Sequence, residues 1–385
     1  MRFPQTILLV SVCGLLTWPC VAASAQTAPT GAPTKIDVSK LGPQVGQIVP
    51  DFQLTDQNGK QWTRASIMGP KGALLLFYRS ADWCPYCKTQ LVDLQSQLDQ
   101  LRAQGLGVAA ISYDPVPILA DFATRRHITF PLLSDAGSAT IKAFGLLNPL
   151  PEMAFGPNKD DPEVMAELRK YVSGGRPSPS WSGIAFPGSF ILDPQGRVKS
   201  RFFEDYYVER TTFSNILLQM GSSQAPVNAI KIGGTHLDVI SYPSDPAVAA
   251  GNRFAVAAHI EPHTGVHVYA PGASGYRVIA LTLTPQPFVR VLPPAYPRSE
   301  IYFFKPLNER VPVFQKPFTL VQELVLEGTP DAQAAFKGKE SLTLAGTLDY
   351  QACDDKICFN PVSVPLTWTI GLKALVTERS VRQQP

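Results

Sequence analysis

The chain carries two cysteines in the sequence Cys84-Pro85-Tyr86-Cys87, between an apolar run and a helical pattern. The apolar run, residues 73–78, has the composition of a buried strand. Cys84 is predicted at the amino end of the following helix, where free backbone N–H groups and the helix dipole favour thiolate over thiol. Cys87 lies one turn further on. This spacing predicts thiol–disulfide exchange. Cys84 would be the more exposed, attacking thiol, with a pKa below the ordinary value of about 8.5, and Cys87 would be the resolving thiol.

Two other interpretations of this cysteine pair are a zinc site and an inert structural disulfide. A zinc site needs a second close pair or histidines, whereas Cys353 and Cys358 lie far along the chain at a wider spacing. Three histidines are interrupted by a proline and a glycine, which break any helix that would place them on one face. They are His259, His263 and His267. We therefore predict no metal and no other cofactor, with the chemistry confined to redox-active disulfides.

The amino-terminus has the pattern of a secretory signal peptide over residues 1–25. Arg2 precedes an apolar stretch at residues 7–18, and Ala23-Ser24-Ala25 fits a small-residue cleavage site. Its removal leaves four cysteines in two pairs, an even number that fits an oxidising compartment. The sequence therefore predicts a periplasmic or secreted protein, with residues 26–43 as a flexible leader.

Length and charge narrow the class of protein further. The chain has 385 residues and a formal net charge of +3. Two domains are expected at this length, and the near balance of charge gives no sign of nucleic-acid binding. No later stretch reaches 18 uninterrupted apolar residues, so no transmembrane segment is predicted in the mature chain.

The pattern of elements changes once along the chain. Residues 44–220 alternate between strand and helix, which predicts an α/β domain. Within it, residues 148–181 are rich in proline and glycine and form either a disordered insertion or a lid over the thiols. Residues 221–226 have the composition of a flexible linker. Residues 227–371 show short alternating strands typical of a β-sandwich, and residues 372–385 are predicted to be a frayed tail.

The stretch from Phe77 to Cys87 resembles the alkyl hydroperoxide reductase/thiol-specific antioxidant (AhpC/TSA, redoxin) superfamily of thioredoxin-fold proteins, particularly its peroxiredoxin-like branch. Residues 49–60 and 186–197 are also redoxin-like. The resemblance implies that residues 44–220 form a thioredoxin-like domain in which Trp83 covers the site. It also implies that Pro187 is a cis-proline facing the disulfide, which would offer the backbone of Phe186 to a substrate strand.

The sequence departs from these relatives at two places. Thioredoxin has a buried acid where Tyr78 stands here, so proton transfer would use Asp82, Glu204 or water. The peroxidatic loop of true peroxiredoxins has a proline, a threonine or serine, and a cysteine. Their places are taken here by Arg79, Trp83 and Tyr86. These replacements weaken the peroxidase interpretation, although Arg79 can still stabilise a thiolate or an anion.

The stretch from Tyr350 to Pro361 resembles the amino-terminal periplasmic domain of the thiol:disulfide interchange protein DsbD, an immunoglobulin-like sandwich. In that family this hairpin carries a redox pair, which implies a second redox pair at Cys353 and Cys358. A static hairpin disulfide is the alternative. The predicted fold is therefore an α/β thioredoxin-like domain followed by an all-β immunoglobulin-like sandwich.

The resulting functional prediction is an exported thiol–disulfide oxidoreductase in which the two cysteine pairs exchange electrons. Its partners would be proteins with thiols or disulfides, or an upstream reductase. One alternative is a thiol peroxidase, in which Cys84 attacks peroxide and Cys87 resolves the sulfenic acid. Another is a non-catalytic exported binding protein with structural disulfides.

Overall fold

A computed structural model describes residues 37–156, 159–170, 178–204, 208–221, 229–305 and 308–380. The predicted signal peptide and most of the leader lie outside these residues, as does most of the predicted linker. The chain from Ile36 onward forms one compact unit. Within it the predicted α/β domain and sandwich are both present. No helix in the described part is both long and apolar enough to cross a membrane.

The α/β domain is built on a seven-stranded sheet with the order β2-β1-β5-β4-β3-β6-β7. Its strands are β1 Gln53–Asp56, β2 Gln61–Thr63, β3 Gly72–Phe77, β4 Leu106–Ser112, β5 Leu132–Ser134, β6 Gly188–Leu192 and β7 Val198–Phe202. The central strand β3 runs parallel to β4 and antiparallel to β6. All six residues of β3 are buried because apolar clusters cover both faces of the sheet. This architecture confirms the predicted thioredoxin-like fold.

The helices lie on both sides of this sheet. They are α1 Pro85–Ser96, α2 Leu98–Ala103, α3 Val116–Arg126, α4 Ala139–Ala143, α5 Leu150–Phe155, α6 Pro162–Lys170 and α7 Phe213–Gln219. Helix α1 begins with a proline in its first turn, where the missing N–H costs nothing. Cys84 caps it by accepting a hydrogen bond from the backbone N–H of Cys87. The dithiol is thus tied to the helix end by local sequence alone.

The described part of the 148–181 insertion is folded against the α/β domain. Helices α5 and α6 and the 3₁₀ helix Pro179–Trp181 share an apolar cluster with Ile184 and Phe186. Trp181 is nearly buried and stacks on Trp83, with ring centroids 4.4 Å apart. The described part of the insertion is therefore ordered, and it packs on the residue next to Cys84. Residues 157–158 and 171–177 lie outside the described part.

The second domain is a β-sandwich, as predicted. Its elements are β9 Ile230–Gly233, β10 Leu237–Pro243, β11 Ala247–Val248, β12 Asn252–Pro262, β13 His267–Tyr269, β14 Ala280–Leu283, β15 Val289–Val291, β16 Glu300–Phe304, β17 Glu309–Phe314, β18 Phe318–Leu326, α8 Pro330–Phe336, β19 Ser341–Tyr350, β20 Ala352–Cys353 and β21 Val362–Leu372. The strand orders are β15-β18-β12-β10-β9, β11-β21-β19-β14 and β16-β17-β13-β20. One apolar core joins the sheets, and within it the Trp368 indole donates to the Ser241 hydroxyl at 3.0 Å.

The two domains are joined by strand pairing as well as by side-chain contacts. A two-residue strand of the α/β domain, β8 Arg210–Thr211, pairs in parallel with the sandwich strand β12. Beside it, Glu323 of β18 accepts hydrogen bonds from Arg253 and, at 2.9 Å, from the side-chain amide of Asn215. The junction is therefore a packed interface with backbone pairing.

Residues 373–380, which we call the strap, run back from the sandwich over helix α1. The Val376 N–H donates to the Thr89 hydroxyl at 3.0 Å, and the ammonium of Lys88 donates to the carbonyl of Glu378 at 2.5 Å. Arg379 contacts the Asp82 carboxylate at 2.7 Å. The prediction of a frayed tail is therefore wrong for these residues, because polar groups on and just before α1 bind the extended chain.

Candidate active site

Cys84 and Cys87 are free thiols that lie between the end of β3 and the first turn of α1, as the sequence predicts. Cys84 is only 1% exposed and Cys87 is fully buried. Cys84 was predicted to be the more exposed sulfur, but the two sulfurs hardly differ because both are buried. Both sulfurs belong to an apolar cluster on one face of the sheet, against which Trp83, Val208 and Val376 also pack.

Two buried guanidinium groups flank the two sulfurs. An Arg79 Nη2 lies 3.3 Å from the Cys84 sulfur, and Arg210 Nη2 lies 3.6 Å from the Cys87 sulfur. Arg79 is 1% exposed and Arg210 is 2% exposed, so their charges act at short range with little water between. The sequence pointed to Arg79 but gave no reason to single out Arg210.

The two thiols ionise as a coupled pair. Burial raises the pKa of Cys84 well above its ordinary value, and a hydrogen bond with Cys87 acts in the same direction. Burial also opposes ionisation of Cys87. There the hydrogen bond with Cys84 and the charges of Arg210 and Arg79 prevail, so the pKa of Cys87 falls well below its ordinary value. The lowered pKa thus lies at Cys87, whereas the sequence predicted it at Cys84.

Trp83 packs against the apolar cluster that contains both sulfurs. Its indole N–H donates to the Tyr113 hydroxyl at 2.9 Å, and its ring stacks on Trp181 of the insertion. The guanidinium carbon of Arg79 lies 5.7 Å from the centre of the Trp83 ring. Trp83 therefore joins the insertion to the arginine that contacts Cys84.

Pro187 does not have the predicted geometry. It directly precedes β6, whose Gly188 pairs with Phe77 at the end of β3. No cis peptide bond occurs in the described ranges, so the prediction of a cis-proline is wrong. The backbone N–H of Phe186 donates to the carbonyl of Leu146 at 2.7 Å. This donor is therefore already used inside the domain, where the prediction had offered it to a substrate strand.

Asp114 is a buried acid near the site that the sequence reasoning missed. Its carboxylate accepts hydrogen bonds from the Ser80 hydroxyl, the Ala81 N–H and the Ser112 hydroxyl at 2.7 to 2.8 Å. Burial outweighs these bonds and raises the pKa of Asp114 to about 6. The position of Asp114 just after β4 could have identified it from the sequence. Side chains at the carboxyl end of a central parallel strand reach the same edge of the sheet as the dithiol.

Tyr78 occupies the position where thioredoxin has its buried acid. Desolvation raises the pKa of Tyr78 well above its ordinary value, and Asp114 and Cys87 are charged neighbours that act in the same direction. Of the predicted proton carriers, Asp82 is bound by Arg379 and by the Ser380 N–H. Glu204 is buried and accepts a hydrogen bond from Thr211. Asp114 is thus a buried carboxyl group close to the dithiol whose pKa, raised to about 6, suits it to carry a proton.

Cys353 and Cys358 form a disulfide across the hairpin that follows β20. The Tyr269 hydroxyl lies 2.9 Å from the Cys353 sulfur and 3.2 Å from that of Cys358, and its ring stacks on Tyr276. Cys353 is buried whereas Cys358 is exposed. An incoming thiolate can therefore approach this disulfide from the Cys358 side.

The histidines near this hairpin have separate partners. His259 contacts Thr319 and Glu261, His263 contacts Asp238, and the ring of His267 packs on Tyr302. Across the described ranges, no three His, Cys, Asp or Glu residues come together in a way that would hold a metal ion.

The two cysteine pairs lie at opposite ends of strand β12. At one end, Asn252 pairs with Arg210, the residue that contacts Cys87. At the other end, Pro262 leads by a short turn to His267, which pairs with Cys353. Strand β12 has 11 residues, and at about 3.3 Å per residue it spans on the order of 35 Å. The two pairs therefore lie towards opposite ends of this strand.

Comparisons with known proteins match each half of the chain separately. The model of the AhpC/TSA family matches residues 45–201, and that of the amino-terminal domain of thiol:disulfide interchange protein DsbD matches residues 241–365. Peroxiredoxin Bcp of Escherichia coli is 34% identical over 103 residues, which are 27% of this chain and 65% of that protein. Alkyl hydroperoxide reductase E of Mycobacterium tuberculosis is 36% identical over 106 residues, which are 27% of this chain and 69% of that protein.

One similar solved structure is the crystal structure of peroxidoxin BcpB from Mycobacterium tuberculosis. It shares 22% sequence identity with this chain at a TM-score of 0.33, and the match covers 43% of this chain and 89% of that one. The matched part of this chain spans slightly less than two thirds of the Escherichia coli relative.

Proposed function

Because this chain belongs to the AhpC/TSA family through residues 45–201 and carries a DsbD-type amino-terminal domain at residues 241–365, we propose that it is an exported thiol–disulfide oxidoreductase with Cys84 and Cys87 as its working dithiol. The observation that carries this proposal is the pair of guanidinium contacts, 3.3 Å to Cys84 and 3.6 Å to Cys87. Neighbouring cations favour thiolate, which is the attacking species in disulfide exchange.

The proposed reaction begins with a proton shift along the Cys84–Cys87 hydrogen bond, which leaves the thiolate on Cys84 beside Arg79. This thiolate attacks one sulfur of a substrate disulfide, forms a mixed disulfide and releases the other sulfur as a thiolate, which takes up a proton. Cys87 then attacks Cys84 and its proton passes to the departing substrate sulfur, which leaves as the second thiol. Two electrons pass to the substrate, and an upstream thiol reductase returns them to the pair.

Cys84 remains the proposed attacking thiol even though both sulfurs are buried. Cys87 is enclosed by Arg210 and by the junction with the sandwich, whereas Cys84 adjoins the half-buried Trp83. Movement of the insertion that carries Trp181 away from Trp83 would open a path to Cys84. Substrate access therefore requires an opening step in this proposal.

A thiol peroxidase is the second candidate function. The relatives named peroxiredoxin and alkyl hydroperoxide reductase favour it, as does the contact of Arg79 with Cys84. The replacement of the peroxidatic loop by Arg79, Trp83 and Tyr86 weighs against it.

The two candidates differ in which oxidant the reduced pair consumes fastest. We expect the reduced protein to react rapidly with a protein or model disulfide, and with hydrogen peroxide no faster than a free thiolate does. Stopped-flow fluorescence would give both rates, with Cys84→Ser as the control. Oxidation by peroxide far above the free-thiolate rate would reverse the order of the two functions.

The reduction potential of the Cys84–Cys87 pair in the wild-type protein distinguishes both enzyme functions from a non-catalytic binding protein. Structural disulfides in secreted proteins have reduction potentials below about −300 mV, whereas catalytic pairs are more oxidising. A Cys84–Cys87 potential in the structural range would favour the binding protein.

We further propose that the Cys353–Cys358 disulfide is a second redox pair. The exposure of Cys358 supports this, since exchange requires access to one sulfur. The placement of the two pairs towards opposite ends of β12 favours electron transfer between separate molecules. The predicted signal peptide supports a periplasmic or secreted location for this exchange.

A further inference from the structure

Arg210 lies in the α/β domain, but the sandwich fixes its backbone. Its strand β8 pairs with β12, where Arg210 is opposite Asn252 and Thr211 is opposite Arg253. The Arg210 N–H donates to the carbonyl of Gly251 at 2.8 Å, and the Thr212 N–H donates to that of Arg253 at 2.9 Å. The position of this guanidinium therefore depends on the second domain.

The Arg210 side chain is aimed at the redox pair. It is 2% exposed, one terminal nitrogen lies 3.6 Å from the Cys87 sulfur, and the other donates to the carbonyl of Glu209. Its Nε has no hydrogen-bond partner within the described ranges. The Cys87 sulfur is thus the side-chain acceptor that Arg210 has in the part of the chain that the structure describes.

A buried guanidinium needs a negative partner, because its hydration is lost and only a nearby counter-charge compensates. The reduced pair supplies one as a thiolate. The Cys84–Cys87 disulfide is neutral and supplies none. Arg210 therefore favours the reduced state over the oxidised state, which shifts the reduction potential of the pair towards more oxidising values.

We propose that Arg210 is the residue through which the sandwich sets the redox potential of the Cys84–Cys87 pair, by stabilising its thiolate form. The inference rests on the proposed function and adds a role for the second domain. It follows from the contact with Cys87 together with the pairing of β8 and β12.

Other ionisable groups also surround the pair. Arg79 contacts Cys84, and it is expected to share the stabilisation of the thiolate. The ammonium of Lys88 is directed towards the carbonyls of Asp82 and Glu378. Tyr78 is held neutral by burial, and Glu204, which acts on Arg210, is bound by Thr211 and has a pKa raised by burial. Arg210 is therefore the cation directed at Cys87.

Exchange with glutathione measures this effect directly. The thiolate of the reduced pair attacks glutathione disulfide, forms a mixed disulfide and releases one glutathione thiolate. The remaining protein thiol gives its proton to that thiolate, closes the Cys84–Cys87 bond and releases the second glutathione as thiolate. Two electrons leave the protein, and the equilibrium constant gives the potential of the pair.

The experiment compares full-length Arg210→Met, Arg210→Lys and Arg253→Met with the wild type at pH 7. We expect Arg210→Met to shift the equilibrium about tenfold towards the protein disulfide, which corresponds to a potential about 30 mV more negative. Arg210→Lys keeps the charge and should retain most of the wild-type value. Arg253→Met removes another arginine of the junction, the partner of Glu323, and should leave the potential unchanged.

The following outcomes would refute either the role of Arg210 or the proposed function. A folded Arg210→Met protein with a wild-type potential overturns the inference, and so does an equal shift in Arg253→Met, which would point to general loosening of the junction. If Arg210→Met does not fold, Arg210→Gln replaces it, with the same shift expected and the same refutation. Failure of the wild type to form a reversible Cys84–Cys87 disulfide would instead refute the proposed function.

Discussion

Replacement of Tyr86 by alanine is expected to uncover the dithiol. Tyr86 lies between the two cysteines, and its ring is buried against the sandwich. Its hydroxyl donates to the carbonyl of Gly328 at 3.0 Å and accepts from the side chain of Gln333 at 3.2 Å. A Cβ added to Gly251 would lie 3.0 Å from the Tyr86 ring, so the fit leaves no spare room. Tyr86 therefore links the redox motif to the second domain.

The expected size of the effect follows from these contacts. Loss of a buried aromatic side chain costs about 3 to 5 kcal/mol, and a neutral hydrogen bond contributes about 1 kcal/mol. Because 1.4 kcal/mol corresponds to a factor of ten, Tyr86→Ala should raise the population of the open junction on the order of 100-fold or more. Tyr86→Phe, the matched control, keeps the ring and loses the two hydrogen bonds of the hydroxyl, so its increase should be at most about 30-fold.

The assay is the rate at which the reduced protein is alkylated by iodoacetamide under native conditions. When opening is fast relative to alkylation, this rate follows the population of the open form. Rates in urea-unfolded protein provide the control, since they should agree among the three proteins. A native rate for Tyr86→Ala equal to that of the wild type would show that the sandwich does not cover the dithiol, and would refute this reasoning.

Two predictions concern other parts of the molecule. The pKa of Asp114 is raised to about 6 by burial, so its contribution is fully present below the unfolded pKa of about 3.9 and is lost as the pH rises through 6. The free energy of unfolding should thus fall by roughly 2 to 3 kcal/mol over that range. Urea unfolding of Asp114→Asn should lack this decline, and an identical decline would contradict the assignment. In the Cys87→Ser, Cys353→Ser double variant, a Cys84–Cys358 link should form only between molecules, as non-reducing electrophoresis at several protein concentrations would show. A concentration-independent link within one chain would contradict the opposite placement of the pairs.

The sequence was sufficient to predict those structural features that are determined by neighbouring residues. The apolar residues of β3, the proline in the first turn of α1 and the cysteine spacing together specify the strand, the helix start and the position of Cys84. The alternation of strands after residue 227 likewise specified the sandwich. In each case the signal lies within a few residues of the feature that it predicts.

The burial of the dithiol had no such local signal. Tyr86 and Gly328 are 242 residues apart, and Arg210 and Cys87 are 123 residues apart. Nothing in the sequence near Cys84 indicates that the residue between the two cysteines, Tyr86, packs on a second domain. The cis-proline prediction failed for another reason: it transferred a family feature to Pro187, where the backbone of this chain adopts the ordinary trans form.

The strap has a consequence for the order of events during biosynthesis. Val376 and its partner Thr89 are separated by 287 residues, and at 5–20 residues per second their synthesis is roughly 15 to 60 s apart. The α/β sheet and the buried residues of its two core clusters are made before the sandwich. Helix α1 can therefore form before the strap is made and packs on it. For most of that interval Cys353 and Cys358 have not yet been made, and among the cysteines beyond the predicted signal peptide Cys84 can then pair only with Cys87. The order of synthesis thus favours pairing of Cys84 with Cys87 over pairing with the later cysteines. The strap is made last and packs on helix α1 after Cys84 and Cys87 have become neighbours.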